Sequence, residues 1–141
     1  MNDNVVLNKV ATIERCILRI EEEYDNNPSN LENFTRQDAI VLNLQRACEA
    51  SIDLAMHICA HKKLGIPQTS KEAFAMLAQK NIISNELSVG LKKMVGFRNI
   101  AVHDYQGLNI DILQKIIEEH LNEFIDFTQH IIKRGRNGNS I

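Results

Sequence analysis

The chain has 141 residues, 44% of them apolar and 24% charged, with a formal net charge of −2. That length suits one domain with a sizeable core. The charge excludes a protein that coats nucleic acid through bulk positive potential, and no apolar run approaches the roughly 20 residues a membrane-spanning helix needs.

Met1-Asn2-Asp3-Asn4 shows no basic stretch leading into an apolar one, so no secretory signal is expected and the cytoplasm is the expected location. From Asn4 to Tyr24, Val6, Val10, Ile13, Ile17, Ile20 and Tyr24 recur at three- and four-residue steps, which predicts one long amphipathic helix. The polar run from Asp25 to Asn30, with Pro28 inside it, then breaks the helix.

A second long helix is expected from Thr35 to about Leu64, stopped by Gly65 and Pro67, with Val41, Leu44, Cys48, Ile52, Ala55 and Cys59 as its apolar seam. Gln45, Glu49, Asp53, His57 and His61 recur every fourth residue beside that seam. Such a stripe is a solvated face or, more sharply, a polar wall along a cleft or dimer seam, with Glu49 and Asp53 as its acidic members. His57 and His61 have the spacing of a metal pair, but H-I-C-A-H lacks the Glu that a zinc protease places after its first His. No metal or other cofactor is expected. Cys16, Cys48 and Cys59 are odd in number, lie among apolar helical neighbours and show no C-x-x-C spacing, which predicts buried thiols.

Ser70 is the expected cap of a short helix reaching Lys80, and Ser84 of another in which Leu87, Leu91, Met94 and Val95 face the core. After a turn at Gln106-Gly107, a last long helix is expected from Asn109 to Lys133. Its seam is Ile110, Leu113, Ile117, Leu121, Phe124 and Ile131. Ile112, Ile116, Ile125 and Ile132 widen the apolar coverage, as in a helix buried both within a bundle and against a partner. The fold expected is therefore all-α, an up-and-down four-helix bundle with an extra short helix. Residues 1–134 form its single domain and residues 135–141 a flexible tail.

The densest chemistry lies in G-F-R-N-I-A-V-H-D-Y, Gly96 to Tyr105. On an unbroken helix Arg98 and His103 stand roughly 140° apart around the axis. Either the helix ends or distorts between them, or they meet through a second copy of the chain. A guanidinium suits phosphate oxygens and an imidazole exchanges a proton near neutral pH, a pairing fit for phosphodiester chemistry in which RNA supplies its own 2′-OH. Lys92 and Lys93 add local positive charge. The spacing alone serves equally well an Arg capping carbonyls at a helix end beside a half-buried His.

The run Gly96–Tyr105 resembles the R-x4-H-x-Y signature of the HepT family, ribonuclease toxins of the HEPN superfamily. L-Q-R-A-C-E-A-S-I-D-L-A-M-H-I at Leu44–Ile58 and G-I-P-Q-T-S-K-E-A-F-A-M-L at Gly65–Leu77 resemble that family's middle section, and the likeness extends from Val6 to Ile132. It implies a HEPN-like homodimer with Arg98 and His103 of both protomers at an interface cleft. It also implies metal-independent RNA cleavage, His103 transferring the proton and Arg98 holding the phosphate. Asn99 and Asp104 take supporting positions. The family's antitoxin MntA, a small nucleotidyltransferase, transfers AMP to the motif's tyrosine, which maps to Tyr105. The competing expectation is a non-catalytic helical subunit that binds nucleotide or presents Tyr105 to such a transferase.

Overall fold

The computed structural model of the chain describes residues 4–136, and among these every regular element is helical. Helix α1 spans Asn4–Tyr24, α2 Phe34–His61, α3 Ser70–Gln79, α4 Asn85–His103, α5 Ile110–Glu119 and α6 Leu121–Arg136. Single 3₁₀ turns lie at Pro28–Glu32 and Tyr105–Gly107. The expected seam of α1 is buried throughout, and α1 packs along the length of α2. The last helix continues to Arg136; the remainder of the expected tail, residues 137–141, lies outside the described residues.

Local chemistry sets most of the boundaries. Asn33 caps α2, its side chain accepting from the Arg36 amide at 3.1 Å. The connection before it is less polar than its sequence suggests, because the 3₁₀ turn carries Leu31 into the core. At its other end α2 stops earlier than expected. Lys63 takes the left-handed conformation (φ 56°), and the Leu64 amide returns to the Cys59 carbonyl at 2.9 Å while Leu64 packs against the core. This six-to-one closure ends the helix before Gly65 is reached. Thr69, not Ser70, caps α3 by accepting from the Glu72 amide at 3.1 Å, whereas Ser84 caps α4 as expected.

The expected single C-terminal helix is two, joined at His120. His120 Nδ1 lies 2.9 Å from Glu123 Oε1, and the Glu123 carboxylate rests on α4 at Gly90, where a Cβ would sit 2.5 Å from Glu123 Cδ. The break keeps Leu113, Ile116 and Ile117 on one side and Leu121, Phe124 and Phe127 on the other in a single core. Ile116 is thus a core residue rather than part of a second apolar face; Ile112 is the one of the four widening isoleucines left largely exposed. Phe74 and Phe127 meet edge to face with ring centroids 5.7 Å apart, both fully buried. Phe127→Ala should lower unfolding free energy by about 3–5 kcal/mol in urea titration. A loss under about 1 kcal/mol would mean that the α3–α6 contact is not tightly packed.

Cys16, Cys48 and Cys59 are free and buried, as their neighbours predicted. No helix among the described residues is long and apolar enough to cross a membrane.

Candidate active site

Helix α4 runs without interruption from Asn85 to His103, its last carbonyl ladder closed by the Asp104 amide on Ile100 at 2.8 Å. No distortion therefore brings Arg98 and His103 onto one face; within one chain they project from opposite sides of the helix, roughly 140° apart. Lys92, Gly96, Asn99 and His103 form one row at three- and four-residue steps on the outward side. Asn99 thus accompanies His103 rather than Arg98. The middle of that row is bare, since a Cβ added at Gly96 would meet nothing within 4 Å. A glycine in a helix interior costs about 1 kcal/mol against alanine, and nothing among the described residues packs there to explain it. Ile100, about half exposed, flanks the same row.

Arg98 lies on the inward side, half-buried against α2. Its Nε is buried with no hydrogen-bond partner among the described residues, an unusual condition for a charged donor. Its neighbour there is Cys48, whose thiol donates to the Met94 carbonyl at 3.4 Å. Burial pushes that thiol up to about 12, with the Arg98 charge pulling it down and the Glu49 charge pushing it further up.

The Cys48–Met94 contact and a second one, from the Tyr105 hydroxyl to Asp38, fix α2 and α4 as antiparallel. Residues 38 to 48 run beside 105 back to 94, which sorts the two acidic candidates. Glu49, half-buried and accepting from Gln45 Nε2 at 3.1 Å, lies near the Arg98 end. Asp53 lies beyond Cys48, farther from the motif, and is held by Lys9 of α1 at 3.1 Å. The proposed acidic wall therefore narrows to Glu49. His57 and His61 stack on each other, ring centroids 6.1 Å apart, on the same distant stretch.

Beyond His103 the chain turns at once. Asp104 Oδ1 accepts from the Gly107 amide at 3.1 Å, so this side chain caps the Tyr105–Gly107 turn. The turn presents Tyr105, 39% exposed, at the mouth of a groove of about 450 Å³. Phe34, Leu108, Ile110 and Leu113 supply its apolar wall, and Asp38 from the start of α2 accepts the Tyr105 hydroxyl hydrogen. Asp38 was not legible as a site residue, since 67 positions separate it from Tyr105.

Partial burial, the hydrogen bond to Asp38 and that carboxylate's charge push the Tyr105 phenol up to about 12. Tyr24, fully buried and donating to Glu118, is also pushed up to about 12, first by burial. A phenol whose pKa is higher folded than unfolded stabilises the fold fully below its ordinary value near 10, and the contribution fades as pH rises through about 12. Circular dichroism during alkaline titration should show stability falling across that interval. A decline that begins near neutrality would contradict the assignment.

The profile of the ribonuclease HepT-like family matches residues 13–131. The mRNA nuclease HepT of Shewanella oneidensis is 54% identical over 127 residues, 90% of this chain and 95% of that protein. The tRNA nuclease HepT of Aphanizomenon flos-aquae is 33% identical over 79 residues, 56% of this chain and 54% of that one. Among solved structures, the tri-AMPylated HEPN toxin of Shewanella oneidensis in complex with MNT antitoxin superposes with a TM-score of 0.88 at 50% identity, over 94% of this chain and 99% of the other. A crystal structure of the MntA–HpeT toxin–antitoxin carrying a tyrosine-to-alanine change gives a TM-score of 0.87 at 49% identity, over 92% of this chain and 99% of that one.

Proposed function

We propose, from the premise that this chain belongs to the ribonuclease HepT-like family, that it is the toxin of a toxin–antitoxin pair, an endoribonuclease whose reaction is carried by Arg98 and His103. The observation that supports this most is the condition of the two side chains on α4. Arg98 offers a buried donor with no partner of its own, while His103 is exposed on the outward row and makes no hydrogen bond among the described residues.

In the reaction the substrate's 2′-oxygen attacks the adjacent phosphorus as an imidazole of His103 takes its proton. The new O–P bond forms as the P–O5′ bond breaks, and the departing 5′-oxygen takes up a proton from solvent while the imidazolium later releases its own, leaving a cyclic phosphate and a 5′-hydroxyl. Arg98 stabilises the charge that grows on the non-bridging oxygens. No step calls on a metal ion. Purified protein should cleave RNA in excess EDTA, and His103→Ala should slow cleavage by about 10²–10⁴-fold. Equal rates for the variant would remove His103 from the mechanism.

Because the continuous α4 keeps Arg98 and His103 on different sides, the complete site is assembled from two copies of the chain. Room for close approach at Gly96 and the exposed Ile100 beside it support that arrangement. The antitoxin is an MntA-like nucleotidyltransferase, the kind of partner bound in the Shewanella structure, and Tyr105 is the residue it modifies. Of the two tyrosines in the chain, Tyr24 is 3% exposed and Tyr105 39%, so the latter is by far the more accessible to a transferase. AMP at Tyr105 places a phosphate and a base two residues from His103, in the space RNA must occupy.

A further inference from the structure

If Tyr105 accepts AMP, something must hold its oxygen toward the incoming phosphorus and remove its proton. This chain contains a group in contact with that oxygen. Asp38 Oδ1 accepts the Tyr105 hydroxyl hydrogen, and both partners sit on backbone fixed by other contacts. On the α2 side, Asn33 caps the first turn, Gln37 Nε2 donates to the Leu31 carbonyl at 3.0 Å and Arg36 Nη1 to the Glu23 carbonyl at 2.9 Å. On the other side, Asp104 closes the turn that carries Tyr105. Among the described residues, Asp38 and Tyr105 are the only titratable side chains lining the groove.

We propose that Asp38 is the acceptor-side catalytic residue of the modification: it orients the Tyr105 hydroxyl and takes its proton during nucleotidyl transfer. This rests on the reading of Tyr105 as the modified residue. As the Tyr105 oxygen attacks the α-phosphorus of a nucleoside triphosphate delivered by the transferase, its proton passes to the Asp38 carboxylate. The phenolic O–P bond forms, the bond between the α-phosphorus and the oxygen bridging to the β-phosphate breaks, and pyrophosphate departs with that oxygen. Asp38 then releases the proton to solvent. The need for a base follows from the phenol's own condition, since a hydroxyl pushed up to about 12 keeps its proton at neutral pH. Tyr24 provides an internal contrast. It also donates to a carboxylate, that of Glu118, but Tyr24 is 3% exposed against 39% for Tyr105, so the pairing serves structure there and transfer at Tyr105.

The test uses the MNT transferase of the Shewanella pair with ATP labelled at the α-phosphate, acting on the full chain. Asp38→Asn keeps an oxygen that can accept the hydroxyl hydrogen but is not a base, so a purely structural contact would survive it. Transfer to Asp38→Asn should fall about 100-fold or more at neutral pH, and its rate should climb with pH well beyond the point where the wild-type rate levels. Asp38→Glu, which restores a carboxylate, should recover part of the rate. RNA cleavage by Asp38→Asn at the wild-type rate shows that fold and nuclease site are intact. Wild-type transfer rate and pH profile in Asp38→Asn would overturn the assignment of Asp38 alone. No label on the wild-type chain, or undiminished label on Tyr105→Phe, would instead remove the reading of Tyr105 and this inference with it.

Discussion

Arg98→Ala and His103→Ala, each inactive alone, should regain about a quarter of wild-type RNA cleavage when mixed in equal amounts and allowed to exchange subunits. Random pairing makes half of the dimers mixed, and each mixed dimer has one of its two sites with both side chains intact, hence about a quarter. The expectation follows from the continuous α4, which sets the guanidinium and the imidazole on opposite sides of one helix. If one protomer supplied both groups to a site, no mixing could rebuild an intact pair and activity would stay at background. Ile100→Glu supplies the control. A carboxylate on the outward row should separate the subunits in sedimentation and abolish the recovery. The corresponding change at Ile116 would not report on assembly, because that side chain lies in the core and its replacement would unfold the chain.

Tyr105→Phe should release the nuclease from its antitoxin. Wild-type protein treated with the transferase and ATP is expected to lose RNA cleavage as AMP accumulates, while the Phe variant takes up none and keeps cutting. The effect is large, since Tyr24, the other phenol, is only 3% exposed and its hydroxyl is held by Glu118. Mass spectrometry of the treated protein, read beside its cleavage rate, checks both halves. Cleavage that persists in fully modified wild-type protein would mean that the group on Tyr105 does not reach the RNA path.

Residues near one another in sequence were read well. The seam of α1, the cap at Ser84 and the core positions Leu87, Leu91, Met94 and Val95 follow from a 3.6-residue period and a hydroxyl in the right place. The errors also have local causes. Lys63 took the left-handed position expected of a glycine, because the returning Leu64 amide and the burial of its side chain outweighed the cost. The break at His120 left no periodic trace, since apolar positions on both sides of it still recur at helical spacing. The side chains of Glu49 and Asp53 look equivalent on a helical wheel, and only the packing of α2 against α4 on one side and α1 on the other puts one near Arg98 and the other on Lys9.

By itself, the sequence determined that this chain is helical, where its helices put their apolar faces, and that one ten-residue stretch carries an arginine, a histidine and a tyrosine in the spacing of the HepT signature. Periodicity and motif are properties of neighbours along the chain, so they can be read without coordinates. Only the tertiary structure decided that Arg98 turns inward and His103 outward, and that Asp38 meets Tyr105 across 67 positions. Those contacts are fixed by how a whole core closes around α2 and α4, and no local spacing encodes that closure.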